Sequence, residues 1–232
     1  MVRRFAFRRL GLAWLLLAAF QSLLVGQMGS ARGHALQVGP VVMTVSDMDR
    51  SVDFYTRVLT FDKRSDAERS KPEFDQLYGV SHSHIRVVDL KLGEESIELL
   101  QFIGAAGAPV PGDARSNDLS FQHVAIVVSD MARAYGVLRQ NHVQQISAYP
   151  QTLPEWNPNA AGIKAFYFQD PDGHPLEVLQ FPPGKGDSKW LQSNGRLFLG
   201  IDHTAIAVSN TDASLAFYSK LLGMRVAGES DN

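Results

Sequence analysis

Glu177 is the residue that most needs an explanation in this sequence. It interrupts a short apolar run, Leu176 to Phe181. In a strand, side chains alternate between faces, so Glu177 shares a face with Leu179 and Phe181. A carboxylate on an apolar sheet face is costly unless it is paired or holds a metal ion. The residues just before it, Asp170, Pro171, Asp172 and Gly173, fit a type I turn: Asp first, Pro second, Gly fourth. That turn predicts a strand ending near Phe168 and a return strand carrying Glu177. Upstream, Phe121 to Asp130 reads as a strand in which His123 faces the same way as Ala125 and Val127. His174 lies in the turn itself, where hydrogen bonding to the turn is its expected role.

These residues need elements to position them, and the chain supplies the same set repeatedly. After the His123 strand comes a helical stretch, Met131 to Gln140, then a long loop, Tyr149 to Gly162, then a strand, Ile163 to Phe168. The earlier part of the chain begins the same way. Val38 to Asp47 reads as a strand, Asp47 can cap a helix from Met48 to Val58, and Asp62 to Tyr78 reads as a polar connector. Strands are expected at Ile85 to Leu92 and Ser96 to Phe102. The second contains Glu98 in nearly the same string that surrounds Glu177. A third unit starts at Phe198 and includes His203. Its Ser214, Phe217, Tyr218 and Leu222 match Ser51, Phe54, Tyr55 and Leu59 at one constant offset. Self-similarity of this kind is stronger evidence than any single motif. The third unit is expected to be incomplete, with too few strands before Asn232 to cover its core.

Composition narrows the function classes. The chain has 232 residues, of which 45% are hydrophobic and 20% charged, as in ordinary folded proteins. The formal net charge is −2, and Arg3, Arg4, Arg8 and Arg9 all lie in the first ten residues. The remainder is therefore mildly acidic, which argues against nucleic acid as a partner. There is no cysteine, so thiolate metal sites, disulfides and a cysteine nucleophile are all excluded. The basic start, the apolar run from Leu10 to Phe20 and the small residues up to Ala35 read as a signal peptide over residues 1–35. The expectation is a periplasmic or secreted protein, with membrane contact only through this segment if it stays uncleaved.

Three motifs together carry a family resemblance. They are the His-x-x-x-x-Val-Ser-Asp strand, the Ser-x-x-Phe-Tyr-x-x-x-Leu helix and the Asp-Pro-Asp-Gly-His-Pro-Leu-Glu strand. With them, residues 37–232 resemble the vicinal oxygen chelate (VOC) superfamily of glyoxalases, bleomycin-resistance proteins and extradiol dioxygenases. The resemblance implies an α+β fold of tandem βαβββ modules, the first two paired into a cup-shaped mixed sheet with helices outside. Module one would span residues 37–103 and module two residues 119–182, with a linker over 183–197. Residues 198–232 would then begin a second domain, with its third module truncated.

The family's metal ligands sit on the first and last strands of each module. By that register His123 and Glu177 are metal ligands, and Glu98 is a third candidate. Where a His is expected on the first strand of module one, this chain has Pro40. His203 holds the equivalent position in the second domain, without a visible partner ligand. His82 and His84 lie in module one as weaker substitutes for the missing His. An imidazole with a carboxylate suits Fe, Zn, Mn or Ni and leaves positions open for a substrate. The bland alternative is a buried His–Glu hydrogen-bonded pair. Trp156 and Asn157, on the long loop, are candidate substrate-binding residues. The implied function is a divalent-metal-dependent lyase, isomerase or dioxygenase acting on a small molecule with vicinal oxygens. The alternative is a metal-free protein that binds or sequesters a small molecule, as bleomycin-resistance proteins do.

Overall fold

The computed structural model describes residues 35–105 and 107–229. The expected signal peptide falls outside the described residues, apart from its last position. Among the described residues no helix is long and apolar enough to cross a membrane.

Module one runs β1 (Val41–Thr44), α1 (Met48–Asp53), β2 (Asp62–Arg69), α2 (Pro72–Tyr78), β3 (His84–Leu92) and β4 (Glu95–Ile103). Asp47 caps α1 as expected: its carboxylate accepts from the Arg50 N–H at 3.0 Å. The helix then widens into a π turn, Phe54–Val58. The stretch expected to be a polar connector holds β2 and α2. Strand β2 reads Asp-Lys-Arg-Ser-Asp-Ala-Glu-Arg and is exposed along almost its whole length. It lies at the edge of its sheet, where charged side chains discourage pairing with other chains. A strand exposed on both faces has no apolar alternation to reveal it.

Module two runs β5 (Gln122–Val128), α3 (Met131–Gln140), β6 (Gln144–Gln145), β7 (Gln151–Thr152), β8 (Lys164–Gln169) and β9 (Pro175–Gln180). Helix α3 starts at its Asp130 cap, and Met131, Ala134 and Leu138 form its buried stripe. The 183–197 linker contains a short 3₁₀ turn, Ser188–Leu191. Strand β10 (Phe198–Ile206) follows.

The fold is mixed α+β, with the first and last strands of each module lying parallel as neighbours. One sheet has the order β1-β4-β3-β2; the other has β10-β5-β9-β8-β6, with β7 also on β8. Each of the first two modules thus keeps its own sheet. The join between first strands is made by β10, which pairs antiparallel with β5. The strand expected to open a separate domain is therefore an integral part of module two's sheet.

One continuous apolar cluster fills both modules, joining Leu90, Ile97 and Leu99 of the first to Phe166, Phe168 and Val178 of the second. The Asp170 turn locks the modules together. Tyr55 donates its hydroxyl hydrogen to Asp170 Oδ2 at 3.0 Å, and Arg50 reaches Asp172 at 2.7 Å. Ser51 donates to Asp172 at 3.2 Å. Burial, and then the Asp170 charge, push the Tyr55 hydroxyl well above its ordinary pKa, so it stays a donor. His174 bonds Asp170 through Nδ1 at 2.9 Å, in the turn-bonding role expected of it.

The segment Asn210–Gly228 belongs to a separate compact unit. Within it Asn210 caps α4 (Thr211–Ala216), and a π turn, Phe217–Leu221, follows. Module one has a π turn at the matching place, Phe54–Val58, so the repeat extends to an unusual backbone feature.

Candidate metal centre

Four strands place four residues in one row. In register across β10, β5, β9 and β8 stand His203, Ala125, Glu177 and Tyr167. Neighbouring strands lie about 4.8 Å apart, so all four side chains rise from one face of the sheet. Ala125 is the small one. It leaves a gap over which His203 and Glu177 lean toward each other. His123, two residues before Ala125 on β5, rises beside the gap from the same face.

His123 Nε2 lies 3.3 Å from Glu177 Oε2, and His203 Nε2 lies 3.7 Å from the same oxygen. One donor atom from each of the three residues lies within 4.8 Å of the others. The imidazole rings of His123 and His203 meet edge to face at 5.5 Å. His123 and Glu177 are 8% and 6% exposed, yet neither ring nitrogen of His123 has a hydrogen-bond partner. An orphaned buried polar atom costs about 1–3 kcal/mol. His123 Nε2 thus stands within ion-pair distance of Glu177 without a well-directed hydrogen bond to it. The three residues fit a divalent ion: two imidazoles and one carboxylate, all on strands, aimed at a common point.

His203 is held differently. Its Nδ1 lies 2.9 Å from Asp202 Oδ2. That hydrogen bond raises the His203 pKa and lowers that of Asp202. Tyr167 stands opposite Glu177, with its ring 5.1 Å from that of His123. Burial and the Glu177 carboxylate push its hydroxyl pKa upward. Phe121 stacks obliquely on His123 at 5.8 Å. A pocket of about 480 Å³ opens over Glu177 and Tyr167, walled by Leu153, Pro154, Trp156 and Asn157 of the long loop.

The sequence placed His123 and Glu177 correctly on one face, and the structure adds His203 to them. Both loop candidates line the pocket: Asn157 is buried, while Trp156 is 67% exposed. Glu98 is not part of the group. It lies in the other sheet, opposite Asp89, and burial followed by the Asp89 charge raises its pKa. Arg86, on the neighbouring strand β3, binds Asp66 and Asp49. His84 pairs with Glu68, and neither it nor His82 stands in the group formed by His123, Glu177 and His203. Tyr167 and Asp202 were not singled out from the sequence. Tyr167 becomes recognisable once the Asp170 turn fixes the pairing of β8 with β9. Asp202 has no signal beyond standing next to His203.

Comparison with known proteins decides the family. The profile of the Glyoxalase/Bleomycin resistance protein/Dioxygenase superfamily matches residues 37–178 and 200–232. The chain belongs to this superfamily. Among curated proteins, a 2-epi-5-epi-valiolone epimerase from an Actinomyces species is 30% identical over 159 residues, covering 65% of this chain and 82% of that protein. A solved glyoxalase family protein from Bacillus cereus shares the fold at a TM-score of 0.55 and 15% identity, covering 65% of this chain and 97% of its own. A glyoxalase I variant from Zea mays superposes at a TM-score of 0.58 and 18% identity, covering 82% of this chain and 56% of its own.

Proposed function

We propose that this superfamily member is a metal-dependent isomerase. It would move a proton at a carbon next to a carbonyl in a small substrate with neighbouring oxygens. One observation carries this reading: buried His123 has two unpartnered ring nitrogens and stands beside Glu177 and His203. The epimerase relative supports the reaction class, because inverting such a centre requires a proton to leave and return.

His123, Glu177 and His203 would hold the ion. When bound, it supplies positive charge beside two substrate oxygens and so acidifies the adjacent C–H. The chain's own groups supply the rest. Glu177 is the carboxylate among the pocket-lining residues, so it is placed to accept a proton from a substrate carbon. Tyr167, kept protonated by its raised pKa, donates to Glu177 or to a substrate oxygen. Leu153, Pro154 and Trp156 line the pocket with apolar side chains. We also propose that the chain is exported, on the basic and apolar character of its first residues.

The test uses chelator-treated protein supplied in turn with Mn²⁺, Fe²⁺, Ni²⁺ and Zn²⁺. Small cyclic and acyclic hydroxyketones in D₂O are then followed by NMR. Deuterium should enter at the carbon beside the carbonyl only with an ion present, and Glu177→Gln should abolish entry. If no ion binds and no deuterium enters, the metal-free binding protein becomes the better account.

A further inference from the structure

We propose that Asp202 and Trp190 are positioning residues that set the tautomer and aim of His203. The tautomer itself does not depend on the metal reading; its consequence for ion binding does. An aspartate side chain is a carboxylate in neutral solution, and Asp202 Oδ2 lies 2.9 Å from His203 Nδ1. An ionised carboxylate can only accept hydrogen bonds, so the proton between Asp202 Oδ2 and His203 Nδ1 belongs to the ring. In neutral His203 the lone pair is then on Nε2, the atom that faces Glu177 at 3.7 Å. A carboxylate behind a ligating imidazole fixes ring orientation and makes the ligand more basic.

Asp202 is itself restrained. The Trp190 indole N–H donates to Asp202 Oδ1 at 3.1 Å, leaving Oδ2 for the histidine. Trp190 comes from the 3₁₀ turn Ser188–Leu191, so this part of the linker has a job. Lys189 anchors that turn by pairing with Glu95 at the start of β4, with its ammonium 4.3 Å above the Trp190 ring. The other Glu95 oxygen accepts from the Ile201 N–H at 3.2 Å. Gly200 makes the close approach feasible: a Cβ there would meet Glu95 Oε2 at 2.6 Å and the Trp190 ring at 2.8 Å. A chain of contacts thus runs from β4 of module one, through the linker turn, to the back of His203.

The experiment labels the histidine rings of the full chain with ¹⁵N. Long-range ¹H–¹⁵N correlations are recorded on chelator-treated protein above the titration range of histidine. His203→Gln assigns the His203 signals. His203 should carry its proton on Nδ1. Asp202→Asn should shift it toward Nε2, because the new amide can donate to Nδ1. Trp190→Phe keeps the ring packing and removes only the donor, and should give a mixture. It also serves as the second variant if Asp202→Asn folds poorly. Isothermal titration with Mn²⁺ and Zn²⁺ should show about 10–100-fold weaker binding in Asp202→Asn. Nδ1–H in the wild type with no ion uptake would support the tautomer assignment and remove the metal reading. His203 protonated on Nε2 in the wild type, or a tautomer unmoved by both variants, would overturn the proposal.

Discussion

Replacing His123 by Leu should have opposite effects on the metal-free and metal-loaded protein. The two ring nitrogens of His123 are buried without partners. Each carries a desolvation cost of about 1–3 kcal/mol when no ion is present. Leu removes both polar atoms and nearly fills the side chain's volume. Against that gain stands the loss of ring packing on Phe121 and Tyr167, whose centroids lie 5.8 and 5.1 Å away. Such aromatic contacts are worth about 0.5–1.5 kcal/mol each. The net expectation is a gain of about 1–3 kcal/mol in chelator. At this size that raises Tm by roughly 2–12 °C, taking about 2–4 °C per kcal/mol. With ion added, the wild type should gain stability as the logarithm of ion concentration over Kd, while His123→Leu should barely respond. Differential scanning calorimetry with and without chelator, at several ion concentrations, reads both effects. A fall of about 3–5 kcal/mol in chelator would refute the reasoning. That is the cost of stranding a buried charge, and it would mean that protonated His123 is the structural partner of Glu177.

Two further predictions follow from the same geometry. Pro40→His should leave ion affinity unchanged, because β1 belongs to the other sheet, whereas His203→Ala should weaken binding by an order of magnitude or more; isothermal titration separates the two. His174→Asn should destabilise the protein in mildly acid solution by about 1.5–3 kcal/mol, the range for a hydrogen bond to a charged partner. Burial opposes charge on His174, but the Asp170 bond outweighs it and raises the pKa above the ordinary 6.5. The charged form's contribution is therefore fully present below 6.5 and fades as pH rises through the folded value, so urea melts should show the mutational gap narrowing toward alkaline pH.

Much of the fold could be read from the chain because its signals are local. The Asp170 turn fixed the β8–β9 hairpin, and its register places Tyr167 opposite Glu177. Asp47 and Asp130 marked two helix starts through their caps. Strand β2 stayed hidden because its exposed, charged residues carry no period-two pattern. The candidate site was half legible. His123 and Glu177 reveal themselves as polar residues on apolar strands. Which third residue joins them depends on the partner of β5 along its free edge, and strand order across modules is a long-range property that no local pattern encodes. Glu98 matched the motif but lies in the wrong sheet to contribute.

Pro40 gives a physical reason for that strand order. Joining two first strands antiparallel requires both to offer backbone N–H groups along their free edges. Strands β5 and β10 do so over Gln122–Val128 and Phe198–Ile206, pairing from Phe198 opposite Val128 to Ile206 opposite Gln122 with register shifts between Phe198 and Gly200 and between Ile201 and His203. The first strand of module one is only Val41–Thr44, and Pro40 stands immediately before it. Proline has no N–H to give to a ladder, which confines it to edges and strand ends. The same residue stands where the family resemblance expects a first-strand histidine, directly before a short strand that pairs with the strand carrying Glu98. Module three has His203 at the equivalent position and a long first strand, so it can supply both the hydrogen bonds and the imidazole. On this argument the departure at Pro40 does not damage the centre. His203 of module three stands beside His123 and Glu177 in place of a module-one residue.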